Sequence, residues 1–144
     1  MFIGLDVVNH RVKSIVGLAA TESPHFTQHY TEVHYHDLPK DFTGKKKYSK
    51  EEQEQKICGD RANILSNFIL NALENYRTKN NGQVPKQLVI YRDGVGGPTF
   101  LEKCLQLEGP GGQLEKAISE FQPNYKPKLL YIIINNRTST RIFE

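Results

Sequence analysis

Two aspartates sit where a carboxylate is unusual. Asp6 interrupts the apolar run Phe2-Ile3-Gly4-Leu5-Asp6-Val7-Val8, and Asp93 follows the apolar stretch Gln87-Leu-Val-Ile-Tyr91 in the block Tyr91-Arg92-Asp93-Gly94-Val95. A carboxylate embedded in a short apolar strand costs several kcal/mol unless a cation or a donor satisfies it. For Asp6 the expectation is therefore a bound cation. Asp93 precedes a glycine and has a plainer alternative, an ordinary turn aspartate. If two neighbouring parallel strands end at the same sheet edge, an acid on each puts two carboxylates at one crevice, the usual ligand position in such sheets. Hard carboxylate oxygens hold Mg²⁺, and a pair of such ions about 4 Å apart activates water and stabilises the leaving oxygen in phosphodiester hydrolysis. Without metal the two acids repel each other.

The elements that would position them follow from periodicity. Phe2 to Val8 and Val12 to Ala20 are β-branched-rich runs around an Asn9-His10-Arg11 turn, a hairpin. His25 to His36 alternates Phe26, Tyr30, Val33 and Tyr35 with polar residues and reads as a third strand with one wet face. From about residue 37 to 59 the chain is dominated by Lys, Glu, Gln, Gly and Pro, which predicts a charged, solvated loop insertion. Leu65, Phe68, Ile69, Ala72, Leu73 and Tyr76 form a helical stripe over Arg61 to Tyr76, stopped by Asn80-Asn81-Gly82 and Pro85. The strand ending at Tyr91 comes next. A short helix from Pro98 or Thr99 is then broken by Gly109-Pro110-Gly111-Gly112, a second helical segment covers Gln113 to Phe121, and Lys128 to Ile134 is the last strand. The order β-β-β-α-β-α-β requires parallel pairing across the helical crossovers and hairpin pairing at the start, so the expectation is an α/β fold with a mixed sheet.

Composition narrows the classes. The 144 residues are 38% hydrophobic and 24% charged, enough for one domain with a modest core. Lys plus Arg number 19 against 16 Asp plus Glu, and a net charge of +3 does not by itself identify a nucleic-acid binder. Cys58 and Cys104 lack the spacing of a disulfide framework or zinc knuckle, which points to a reducing compartment, the cytoplasm or nucleus. No apolar run approaches the roughly 20 residues of a membrane helix, so no membrane is expected as a partner. The chain opens and closes on strand-like apolar runs, so the expectation is a piece of a longer protein.

Ile3-Gly4-Leu5-Asp6-Val7, Tyr91-Arg92-Asp93-Gly94-Val95-Gly96, Asn124-Tyr125-Lys126-Pro127-Lys128-Leu129 and Arg137-Thr138-Ser139-Thr140-Arg141-Ile142-Phe143 together resemble the Argonaute/Piwi family, more closely its Piwi branch. The likeness covers nearly the whole chain except Asp37 to Cys58. It implies the ribonuclease H-like arrangement, with the first and fourth strands side by side at the centre, and a partial Piwi domain over residues 1–144, incomplete at the C-terminus. It further implies a small-RNA-guided silencing protein whose partners are a guide RNA, a complementary target RNA and the remaining domains of the parent. Base pairing would then carry specificity while the protein holds the duplex by backbone and shape. The cofactor implied is Mg²⁺ or Mn²⁺ on Asp6 and Asp93.

The family's site resembles a tetrad of two aspartates, a glutamate from the loop before the long helix, and a final histidine or aspartate, which would lie beyond Glu144. Asp60 occupies the place expected for the glutamate, one carbon shorter, and it is equally a suitable helix N-cap. Glu51, Glu52 and Glu54 are weaker candidates for that role. Whether the parent cleaves RNA or only binds guide and target therefore stays open, and a chain lacking the last ligand is expected to cut nothing alone. Lys45, Lys46 and Lys47 beside Tyr48 form a basic cluster suited to phosphate, with a solvated loop as the plainer alternative. By resemblance, Arg137 and Arg141 belong to a basic segment near the nucleic-acid channel, with surface charge as their alternative. His34 and His36 share a strand face near His25 and His29, yet no third zinc ligand is evident. Gly94 to Pro98 lacks the lysine of a phosphate loop and reads as a turn. Ile-Gly-Leu-Asp also opens actin-like nucleotide-binding domains, but the Tyr-Arg-Asp-Gly-Val block argues against that class.

Overall fold

Burial alternates along the first strand, and that alternation defines two unlike faces of the sheet. In β1 (Phe2–His10), Ile3, Leu5 and Val7 are buried, while Phe2, Asp6 and Val8 on the opposite pleat are exposed. The computed structural model describes residues 1–10, 13–37, 49–93, 95, 102, 105–109 and 111–134.

Strand β2 (Lys13–Thr21) pairs antiparallel with β1, and β3 (His29–Asp37) pairs antiparallel with β2. β4 (Gln87–Asp93) runs parallel to β1, and β5 (Lys128–Ile134) runs parallel to β4, so the order across the sheet is β3-β2-β1-β4-β5. The mixed sheet expected from the element order is present, with the first and fourth strands adjacent. Two helices complete the described elements, α1 (Lys50–Lys79) and α2 (Gln113–Phe121).

Both helices cover the same face. Leu65, Phe68, Ile69, Ala72 and Leu73 of α1, with Leu114 and Ile118 of α2, close over Ile3, Leu5, Val16, Leu18, Leu88 and Ile90 in one core. On the other face Phe2, Val8, Val33, Tyr35, Tyr91 and Leu130 are all exposed. There Phe2 meets Phe26 edge-on at 5.1 Å and stacks on Tyr91 at 6.5 Å.

The long helix departs from expectation. It starts at Lys50, eleven residues before Arg61, with Ser49 as N-cap: the Ser49 hydroxyl accepts from the Glu52 amide, and the Glu52 carboxylate accepts from the Ser49 amide. These reciprocal bonds form a capping box, and they hold the Glu52 carboxyl below its ordinary value. The expected insertion at 37–59 is therefore helical from residue 50 onward, and Ile57 and Cys58 within it are buried. Charge-rich composition predicted loop because the first two turns carry little apolar surface; a helix anchored further along needs little of its own there. Leu105 to Glu108 are helical, as expected for the segment before Gly109, while Pro98 to Leu101 lie outside the described residues. Among the described residues, no helix is long and apolar enough to cross a membrane.

Candidate metal centre on β1 and the end of β4

The parallel register of the central strands brings the two acids together. Leu5 lies opposite Arg92, and one further step along both strands sets Asp6 beside Asp93. Both belong to the pleat that points away from the helices, because Ile3, Leu5 and Val7 on β1 and Leu88, Ile90 and Arg92 on β4 occupy the covered pleat. Neighbouring strands are about 4.8 Å apart, so two such carboxylates can hold a shared cation or two ions about 4 Å from each other. On its other side Asp6 faces Gly17 of β2, where an added Cβ would meet nothing within 4 Å. That gap leaves room next to the carboxylate.

Asp93 is the last residue of β4 and pairs with Ile134 of β5. Asp6 is exposed, so the burial cost expected for it does not apply. Its place on the open pleat explains how an apolar-looking strand accommodates a charge. A divalent cation fits this donor set: Mg²⁺ is commonly held by one or two carboxylates, with water and phosphate oxygens completing its octahedron. Among the described residues, no group of three metal-ligating side chains exists, so two acids are what these residues contribute.

Asp60 does not join the pair. It lies inside α1 rather than at an N-cap, and its carboxylate is 3.7 Å from Nε2 of His36. His36 pairs with Ser14, a buried residue of the helix-covered pleat to which Arg61 donates at 3.3 Å. The sheet itself therefore separates the Asp60–His36 contact from the face that carries Asp6 and Asp93. Glu51, Glu52 and Glu54 lie in the first turns of α1. Lys45, Lys46, Lys47, Arg137 and Arg141 lie outside the described residues, as do Gly94 and Gly96 to Pro98.

Sequence reasoning missed Arg92 and Glu108. Arg92 occupies a core position in the alternation Leu88, Ile90, Arg92, and its side chain is 1% exposed against 2% for Glu108. Arg92 Nε donates to Glu108 Oε2 at 2.8 Å and Nη2 donates to Oε1 at 3.3 Å, a two-pronged pairing. The guanidinium also donates to the backbone carbonyl of Asp93. The signal was available: an arginine on the buried beat of a strand demands an anion, and Glu108 follows within the next helical segment.

A mixed five-stranded sheet, crossover helices and two acids on adjacent central strands define a ribonuclease H-like α/β domain. The chain belongs to the Piwi domain family, whose profile matches residues 1–144. Among curated relatives it is 39% identical over 75 residues to Piwi-like protein Ago3 of Bombyx mori and 32% identical over 84 residues to protein argonaute 10 of Arabidopsis thaliana. Those matches cover 52% and 58% of this chain and 8% of each relative, so the chain spans a small part of their length. Of solved structures, Kluyveromyces polysporus Argonaute with a guide RNA is similar over 95% of this chain and 15% of its own, with a TM-score of 0.64 at 20% identity. The C-terminal lobe of a budding yeast Argonaute reaches 0.65 at 21% identity, covering 96% of this chain and 24% of that one. At these identities the likeness establishes the fold.

Proposed function

We propose that this Piwi domain works within a small-RNA-guided silencing protein, binding guide RNA paired to target RNA and cleaving the target with Mg²⁺ or Mn²⁺ held by Asp6 and Asp93. The observation that carries the reading is the register that sets Asp6 beside Asp93 on one open pleat. The family membership supports the nucleic-acid partners, as do the solved relatives described with a guide RNA, or with guide RNA and target DNA. The remaining domains of the parent and a cytoplasmic or nuclear location belong to the same proposal.

When bound, the metal would supply an activated water and neutralise charge on the scissile phosphate. Asp6 and Asp93 present the hard oxygens, and their place on the pleat away from the helices directs them outward, where a backbone phosphate can approach. Gly17 leaves the flank of Asp6 clear for that approach. Sequence discrimination rests on guide–target pairing, so no base-reading side chain is needed at this site.

A second reading, binding without cleavage, draws on one observation: Asp60 sits on the other side of the sheet, and the described residues offer no third acid to the pair. The experiment that separates the two is guide-directed cleavage by the complete, guide-loaded parent protein, comparing wild type with Asp6→Asn and Asp93→Asn in Mg²⁺ and in chelator. Metal-dependent cleavage lost in both variants supports the nuclease. Target binding by wild type without cleavage establishes the binding-only reading.

A further inference from the structure

Asp6 and Asp93 are held very differently. Asp6 is inside β1, which continues beyond it to His10 and stays paired with β2 as far as His10↔Lys13. Asp93 is the terminal residue of β4. A metal ligand must keep its oxygens within about 0.5 Å of the required geometry, and a residue at a strand end has lost the ladder that would hold it on one side. Asp93 pairs with Ile134 of β5, while the ladder between β4 and β1 ends one residue before it, at Leu5↔Arg92. Immediately before it, Arg92 turns to the covered face, closes its fork on Glu108 and donates to the carbonyl of Asp93 itself. The helical turn carrying Glu108 is packed beside this strand end: Leu107 and Ile133 lie against Cys58 of α1 and against Val95, which follows Asp93 by two residues. Burying an ion pair this completely is not an efficient way to gain stability, since well-packed apolar residues of similar volume do as well or better. What the pair provides is direction: a planar fork fixes the orientation of the backbone it grips.

We propose that Arg92 and Glu108 are positioning residues for the metal centre, clamping the end of β4 so that the Asp93 carboxylate is presented to a divalent cation beside Asp6. The proposal rests on the metal-binding reading above. Neither residue touches the cation; they act from the opposite face through the Asp93 backbone. Loss of such outer support of a metal ligand characteristically costs 10- to 100-fold in affinity.

The test is Mn²⁺ binding to the full chain by titration calorimetry, with melting temperature recorded for every variant. Asp93→Asn is expected to abolish binding. Glu108→Gln keeps an acceptor for Arg92 but loses the charge. The double variant Arg92→Met with Glu108→Leu removes both charges at similar volume, so the fold survives even if a lone buried arginine does not. Both are expected to bind Mn²⁺ at least about tenfold more weakly, and the double variant is expected to do so at an undiminished melting temperature, which a purely structural role would not produce. Wild-type affinity in the folded double variant, with Asp93→Asn inactive in binding, overturns the positioning role and leaves the metal reading intact. Wild-type affinity in Asp93→Asn overturns the metal reading and the clamp with it.

Discussion

Replacing either acid of the pair by its amide should change stability in opposite directions with and without metal. Asp6 and Asp93 lie one step beyond the Leu5–Arg92 pair on adjacent strands, and strand spacing sets a scale of about 5 Å for the separation of two such side chains. Two like charges at that separation repel by about 0.8 kcal/mol in water and about 3 kcal/mol at an effective permittivity of 20. Asp6 is exposed, so the lower end applies, about 1 kcal/mol. In chelator, Asp6→Asn should therefore raise the melting temperature by about 4 °C for a domain of this size. Mg²⁺ at a hundredfold excess over its dissociation constant adds about 2.7 kcal/mol to the wild type and, with one ligand lost, little to the variant. The order then reverses, with wild type ahead by about 2 kcal/mol, the difference of those two figures. Thermal unfolding by circular dichroism in chelator and in Mg²⁺ reads both signs. In 1 M salt the metal-free difference should shrink, because screening acts over about 3 Å there. A variant no more stable than wild type in chelator, together with an unchanged response to Mg²⁺, would refute the placement of the two acids at one crevice.

Three further outcomes are expected. Leu73 is fully buried between α1 and the sheet, so Leu73→Ala should cost about 2–5 kcal/mol in urea unfolding. Ser49→Ala removes one arm of the capping box and should cost about 1 kcal/mol, read as faster amide exchange over residues 50–56; a helix starting at Arg61 would show no such change. Burial, then a hydrogen bond donated to Glu32, raises the Tyr30 phenol from 10.0 to about 12. The neutral phenol is thus favoured by folding: its contribution is intact below pH 10 and is lost as pH rises through about 12, and tyrosinate absorbance should show this late titration vanish in Tyr30→Phe.

The strands and the buried stripe of α1 were legible because each declares itself over a few consecutive residues. Ile3, Leu5 and Val7 alternate with exposed neighbours, and Leu65, Ile69 and Leu73 recur at helical spacing. The first third of α1 was hidden for a physical reason. Lys50 to Lys56 are charged or polar, and their helical state depends on the Ser49–Glu52 capping box together with the anchoring of Ile57 and Cys58, weak signals beside a loop-like composition. Asp60 misled because helix capping and metal binding ask for the same side chain, and only the pleat of β3 shows that it turns toward His36.

The amino-acid sequence by itself determined the order of elements, the positions of Asp6 and Asp93 and the family they indicate, since periodicity and motif are local properties. Tertiary structure alone decided which residues meet. β4 reaches β1 only after the chain has crossed the sheet through α1, and the resulting register, shifted by a single residue, would have sent one acid to the covered face. The clamp of Arg92 on Glu108 has the same origin: a buried charge requires a partner, but which carboxylate arrives is settled by how the helical turn packs against the strand end.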